Sequence, residues 1–141
     1  MINAVTNSAV PHLTINMAAS FGAGNYGMSG RAYDPRLMFA WPGAKLAVMG
    51  AAQLAGVMSI VGRASAAATG RDFDGAADEQ RRKQIEAQIE SESSSFFVSA
   101  RLYDDGVIDP RDTRTILGLC LWLVSRTAPA SAGSGYGVFR M

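Results

Sequence analysis

Five consecutive residues, Phe21-Gly-Ala-Gly-Asn25, are where this sequence could do chemistry. Glycine and alanine let the main chain come close to a ligand, and the first N–H groups of a helix have no internal acceptor. At a strand-to-helix junction such amides point outward with the positive end of the helix dipole behind them. They then form an anion cradle built only of backbone, suited to negative charge developing on an oxygen. Glycine-rich turns before helices also bind phosphates or merely permit tight packing, and the residues alone leave these readings open. The spacing is not that of a dinucleotide fingerprint or a phosphate loop, which counts against nucleotides.

The other chemistry-bearing side chains read as structural. His12 is the only histidine and lies beside an expected buried strand, so a hydrogen-bonded structural imidazole is expected. Arg31, Asp34 and Arg36 are spaced for an ion-pair network. Asp104, Asp105, Asp109 and Asp112 do not follow a calcium-loop spacing, and turn and capping roles account for them, so no metal is expected. Cys120 sits in an apolar run and reads as a small buried hydrophobe; as the sole cysteine it excludes an intrachain disulfide framework.

The elements that must position the cradle follow from periodicity. Pro11 to Met17 alternates apolar and polar residues and predicts a strand. Ala18 to Gly30 carries too much glycine for a regular strand and predicts a tight turn followed by a short helix. Leu37–Trp41, closed by Pro42-Gly43, and Lys45–Met49 predict two more strands. Gly50 opens a helix with Leu54, Val57, Met58 and Val61 as its apolar stripe. Gly70 to Asp78 reads as a loop, and Glu79 to Glu92 as a solvated helix resting on Ile85 and Ile89, with Glu79 and Lys83 spaced to pair. Asp109-Pro-Arg-Asp has the form of a helix start, followed by a stripe of Thr113, Ile116, Leu117, Cys120, Leu123 and Val124. The tail from Ala128 to Gly137 reads as flexible, with Tyr136, Val138 and Phe139 able to dock.

At 141 residues and 48% apolar content the chain suits one compact domain. A net charge of +1 gives no reason to expect nucleic acid. The start has no secretory pattern and no apolar stretch is long enough to span a bilayer, so a cytoplasmic protein is expected. Fifteen glycines, 7 methionines and unequal apolar segments predict a face left for a partner.

Several longer motifs carry a resemblance. Pro11-His-Leu-Thr, Ala19-Ser-Phe-Gly-Ala-Gly-Asn-Tyr-Gly-Met-Ser-Gly-Arg-Ala-Tyr-Asp-Pro-Arg36, Trp41-Pro and Ala47-Val-Met-Gly50 resemble the carboxyltransferase (β) subunits of biotin-dependent acyl-CoA carboxylases, within them the methylcrotonoyl-CoA and geranyl-CoA carboxylase group. Ser99 to Gly118 and the terminal Gly137-Val-Phe-Arg-Met141 match the same family. The resemblance implies an α/β, crotonase-like (ClpP/crotonase) fold of ββα units in a spiral, of which this chain is a partial C-terminal carboxyltransferase domain. Residues 1–127 would form that part and 128–141 the tail, and Met1 would be an internal start.

The family mechanism is implied with it. Carboxybiotin arrives on a partner's carrier domain and releases CO₂, charge appears on the ureido oxygen, and a thioester enolate of the acyl-CoA captures the CO₂ without a side-chain base. Matched to the motif, the Ala23 and Gly24 amides hold that oxygen, and Phe21, Gly22, Asn25 and Tyr26 shape the biotin pocket. For Phe21 and Tyr26 a role as core aromatics is an equal reading. The implied partners are a biotin carboxylase/biotin carrier α subunit, further copies in a dimer or hexamer, and a methylcrotonoyl-CoA-like acyl-CoA bound mostly by a domain this chain lacks. Two positions depart from the family: Ala52 stands where a glutamate is usual, and Ser29 where a cysteine is frequent. A non-catalytic oligomerisation fragment is the alternative. A free-standing hydratase or isomerase is disfavoured, since no acid/base glutamate pair near a thioester is evident.

Overall fold

The computed structural model describes residues 1–126, which fall into two compact units, Met1–Leu46 with the residues from Ser94 onward, and Ala47–Ser93. The expected tail and its docking residues Tyr136, Val138 and Phe139 lie outside the described residues.

The first unit begins with a short helix, α1 (Ile2–Thr6), then β1 (Leu13–Asn16), β2 (Ala19–Phe21), α2 (Ala23–Gly27) and a 3-10 turn at Arg31–Tyr33. β3 (Leu37–Ala40) and β4 (Lys45–Ala47) follow. β1 and β3 pair in parallel from Leu13 opposite Leu37 to Asn16 opposite Ala40. Parallel strands need a crossover, and the whole 17–36 segment provides it. β2 lies beside β4, where the Lys45 amide reaches the Ala18 carbonyl at 3.2 Å. This short strand is a correction to the expected turn. The glycines begin only at Gly22, and the three residues before them find a partner strand that local composition does not announce.

Residues 105–108 extend the parallel sheet on the far side of β3. The Asp105 amide donates to the Met38 carbonyl (2.7 Å), the Ala40 amide to Gly106 (3.1 Å) and the Ile108 amide to Ala40 (2.8 Å). Met38, fully buried, with Ala40, Ala44, Val98, Ile108 and Cys120 forms the core of this unit. A short helix, α5 (Ser95–Ser99), precedes this edge.

Asp109 accepts from the Arg111 amide at 2.8 Å, as expected of a cap, but the turn it starts is a 3-10 turn, Pro110–Asp112, that leads into α6 (Thr113–Ser125). The α6 stripe holds only in part. Cys120 is buried and Thr113, Ile116, Leu117 and Val124 are half-buried, while Leu123 is exposed along with Leu119, Leu121 and Trp122. The helix is apolar nearly all round, so periodicity could not single out one face. Its start is tied to the end of β3 by the Trp41 indole, which donates to the Thr113 hydroxyl at 3.0 Å.

The second unit is a helical hairpin. α3 (Ala51–Thr69) starts after Gly50 as expected and ends at Gly70, whose left-handed φ of 64° suits glycine. α4 runs Gly75–Glu92, beginning before the expected Glu79 because the Asp74 carboxylate caps the Ala76 and Ala77 amides at 2.9 and 3.0 Å. Ile85 and Ile89 are half-buried, and Lys83 lies 3.8 Å from Glu79.

The expected stripe of α3 is corrected. Val57, Met58 and Val61 are exposed and Leu54 is half-buried, while the face turned inward carries Ala55 and Ser59. Two features decide this orientation. Small residues allow α4 to come close, with Gly62 leaving room for the Arg81 guanidinium, and the Ser59 hydroxyl donates a short hydrogen bond to the buried Asp78 carboxylate. A buried carboxylate without donors would cost far more than leaving apolar side chains in water.

Candidate functional site

β2 delivers the chain to Gly22, which adopts φ 58° and ψ −140°, a combination open to glycine and strained for any residue with a Cβ. The chain then turns at once into α2. No side chain caps this helix and its first turn holds no acidic residue. The Asn25 amide closes the turn by donating to the Gly22 carbonyl at 3.1 Å, and the Met28 amide donates to Gly24 at 3.1 Å. The Ala23 and Gly24 amides, in contrast, make no hydrogen bond among the described residues. Both residues are exposed, and a Cβ built on Gly24 meets nothing within 4 Å. Two neighbouring N–H donors at an exposed turn thus have no partner among the described residues, as is usual for the first amides of a helix.

The flanking residues divide. Phe21 and Gly22 are half-buried under the turn. Tyr26 is 44% exposed and meets the Tyr33 ring edge-on, with centroids 5.6 Å apart, so it is no core aromatic. Asn25 is half-buried, and its side-chain amide donates to the Ser20 hydroxyl at 3.0 Å. Ser20 and Gly30, which sequence reasoning passed over, both touch Asn25. Neither carries a local signal, since their roles arise only when β2 and the exit of α2 are brought together.

Several of the other polar candidates are engaged by contacts within the chain. His12 Nδ1 lies 2.9 Å from the Ser29 hydroxyl, and the Ser29 carbonyl accepts from Thr14 at 2.9 Å. Ser29 is buried at a positive φ of 56°, so the hydroxyl standing at the frequent cysteine position is used to hold that turn. The expected network of Arg31, Asp34 and Arg36 is a correction: all three are exposed and no ion pair joins them among the described residues. Asp34 instead closes the 3-10 turn in the left-handed conformation, φ 49°.

Asp104 accepts from the Gly106 amide at 3.1 Å, a turn-forming role that leaves its other oxygen buried without a partner among the described residues. Asp105, against the turn role expected of it, accepts from the Met38 amide of β3 at 2.7 Å and ties two distant segments together. Asp109 chelates the Arg111 guanidinium, at 2.6 Å for its shortest contact, and this pairing holds the Asp109 carboxyl below its ordinary range. Among the described residues no group of three or more His, Cys, Asp or Glu could hold a metal, and no helix is long and apolar enough to cross a membrane. Ala52, at the usual glutamate position, is exposed at the start of α3.

Comparison with known proteins decides the family. A carboxyl transferase domain model matches residues 1–131. The chain belongs to the carboxyl transferase domain family. It is 60% identical over its full length to a probable biotin-dependent acyl-coenzyme A carboxylase beta2 subunit of Mycobacterium tuberculosis and covers 26% of it. It is 45% identical, again over its full length, to the mitochondrial methylcrotonoyl-CoA carboxylase beta chain of Arabidopsis thaliana, covering 24%. Among solved structures, the beta subunit of P. aeruginosa geranyl-CoA carboxylase superposes with a TM-score of 0.80 at 39% identity, over 99% of this chain and 26% of that one. This carboxyl transferase domain therefore has the crotonase-like fold of those subunits, in mixed α/β form. It spans about a quarter of the length of the relatives it matches.

Proposed function

We propose that this carboxyl transferase domain supplies the biotin-side oxyanion hole of a biotin-dependent acyl-CoA carboxylase, with Ala23 and Gly24 as its donors. The observation that carries the reading is the pair of unspent amides, presented where a Cβ on Gly24 would meet nothing. A urea carbonyl is a planar acceptor with two lone pairs, and two adjacent N–H donors on an open turn suit it. When bound, biotin supplies a ureido ring whose carboxyl group is handed on and whose carbonyl oxygen takes up the negative charge.

The chain's own contribution is then electrostatic and geometric. The Ala23 and Gly24 amides donate to that oxygen, and they are already oriented, so no reorganisation is needed as charge grows. Gly22 sets their direction through its special φ and ψ. Phe21 and Tyr26 give the flat sides against which a bicyclic urea can rest. No side-chain acid or base is required of this chain.

The same reading assigns the partners. An acyl-CoA of the methylcrotonoyl type is held mostly by a second carboxyltransferase half, biotin arrives on a carrier belonging to an α subunit, and the chain works in the cytoplasm within an oligomer. The β-subunit names of the relatives support the α-subunit partner, and the hexamer assembly of the transcarboxylase 12S subunit, which is 25% identical with a TM-score of 0.69, supports the oligomer; on location the relatives differ, the Arabidopsis chain being mitochondrial. The exposed Val57, Met58, Ile60 and Val61 of α3 supply apolar surface for such association. A non-catalytic interaction module would use the same surface; the unspent amide pair favours the enzyme.

Titration of the 15N-labelled chain with biotin, and separately with inorganic phosphate, tests the assignment. Saturable movement of the Ala23 and Gly24 amide resonances by biotin is expected. A response to phosphate alone, or to neither, would overturn it.

A further inference from the structure

We infer that Asn25 is a positioning residue, clasped between Ser20 and Gly30, that fixes the direction of the Ala23 and Gly24 amides; this rests on the reading of that turn as the biotin-side oxyanion hole. Asn25 bonds to the turn at three points. Its side-chain amide donates to the Ser20 hydroxyl on β2 at 3.0 Å. Its main-chain N–H donates to the Gly22 carbonyl at 3.1 Å, and its carbonyl accepts from the Gly30 amide at 2.8 Å. The strand before the cradle, the special glycine inside it and the exit from α2 are all joined through this residue. Its side-chain amide nitrogen is engaged by Ser20, so the side chain braces the turn from the β2 side.

Gly30 shows that the space is taken. A Cβ there would overlap the Asn25 side-chain amide. The backbone at Gly30 is extended, with φ −71°, so alanine fits it without strain. What must give way is the far end of the Asn25 side chain, and its displacement would break the bond to Ser20. Gly30→Ala thus opens the clasp without altering either hydrogen-bonding residue, and Ser20→Ala and Asn25→Ala open it from the other two sides.

Three independent routes to one broken contact make a discriminating experiment. In the biotin titration of the chain, Ser20→Ala, Asn25→Ala and Gly30→Ala should each weaken the response of the Ala23 and Gly24 amides by about tenfold, the scale of one lost hydrogen bond. Ser20→Thr, which keeps the hydroxyl, should bind like the unmodified chain. Gly30→Ala and Asn25→Ala combined should be no worse than either alone, because they remove the same contact. Melting curves show whether each variant stays folded. An unmodified chain that ignores biotin overturns the site itself and the clasp with it. An unmodified chain that responds while the three folded variants respond equally, or losses that multiply in the double variant, overturn the clasp alone.

Discussion

The turn at Phe21–Gly24 and the α3–α4 hairpin handle polar groups in opposite ways. In the hairpin a buried carboxylate is spent internally: Asp78 accepts from Ser59 and pairs with Arg81 at 2.8 Å. In the turn two backbone donors are left for something outside the chain. Satisfied buried groups hold a structure together, whereas unsatisfied accessible ones are available for binding. Substitutions in the two regions should therefore separate function from stability.

The largest separation is expected at Gly24. Its Cβ position is open, so Gly24→Val should leave the fold within about 0.5 kcal/mol of the original. In a carboxyltransferase assembled from this chain and an acyl-CoA half, the proposed oxyanion role makes the same substitution lower the transfer rate on the order of a hundredfold, because a β-branched side chain beside the two amides disturbs their presentation. Parallel melting and rate measurements check both halves. A variant that melts early would turn Gly24 into a packing residue and erase the contrast.

Gly22 should blur the contrast in a defined way. At φ 58° and ψ −140° any side chain is strained, so Gly22→Ala should cost about 1–3 kcal/mol as well as swinging the two amides away. Chemical denaturation measures the first effect and the biotin titration the second. Loss of binding with unchanged stability would show that the turn relaxes easily.

Asp78 belongs to the opposite case. Hydrogen bonding from Ser59, then from Arg81, with Arg81 and Arg63 adding their charges, lowers its carboxyl below the ordinary value. A folded-state value below the unfolded one gives stability that is fully present above the ordinary carboxylate range and is lost as pH falls through the lowered value. Asp78→Asn should therefore reduce the melting temperature at neutral pH, flatten the acid side of the stability profile and leave the Ala23 and Gly24 amides unmoved. An unchanged acid limb would mean that other carboxylates dominate it.

The same contrast explains what was legible in the sequence. The glycine turn into a short helix could be read because its signal is local: glycines, a small residue and a strand-to-helix junction lie within five positions. The Gly50 helix start and the Glu79–Lys83 spacing are local too, and both are present. What failed was partner choice. Apolar volume on α3 suggested that Val57, Met58 and Val61 face inward, but the partner helix selected Ala55 and Ser59, since only small side chains admit Asp78 and Arg81. β2 was hidden because three residues have no period to detect, and its pairing at Lys45 comes from far along the chain. The Ser20–Asn25–Gly30 clasp was hidden for a different reason: its residues are close in sequence, but the contact forms only when β2 and the exit of α2 fold against each other. Arg31, Asp34 and Arg36 erred the other way, as charges close in sequence that the turn keeps apart and hydrated.

The smallest effect expected sharpens the comparison from below. Lys83 and Glu79 approach to 3.8 Å on the solvent side of α4, with side-chain exposures of 74% and 55%. The pair follows the favourable order, acid one turn before base, yet water and salt screen it and two long side chains must be held still to make it. Lys83→Ala should consequently change stability by no more than about 0.5 kcal/mol, partly offset by the higher helix propensity of alanine, and the difference should vanish in high salt. Denaturation at low and high ionic strength measures this. A large, salt-resistant loss would mean that Lys83 contacts something more buried than Glu79, and that the hairpin is held by its charged face as much as by the Ser59–Asp78–Arg81 contact beneath it.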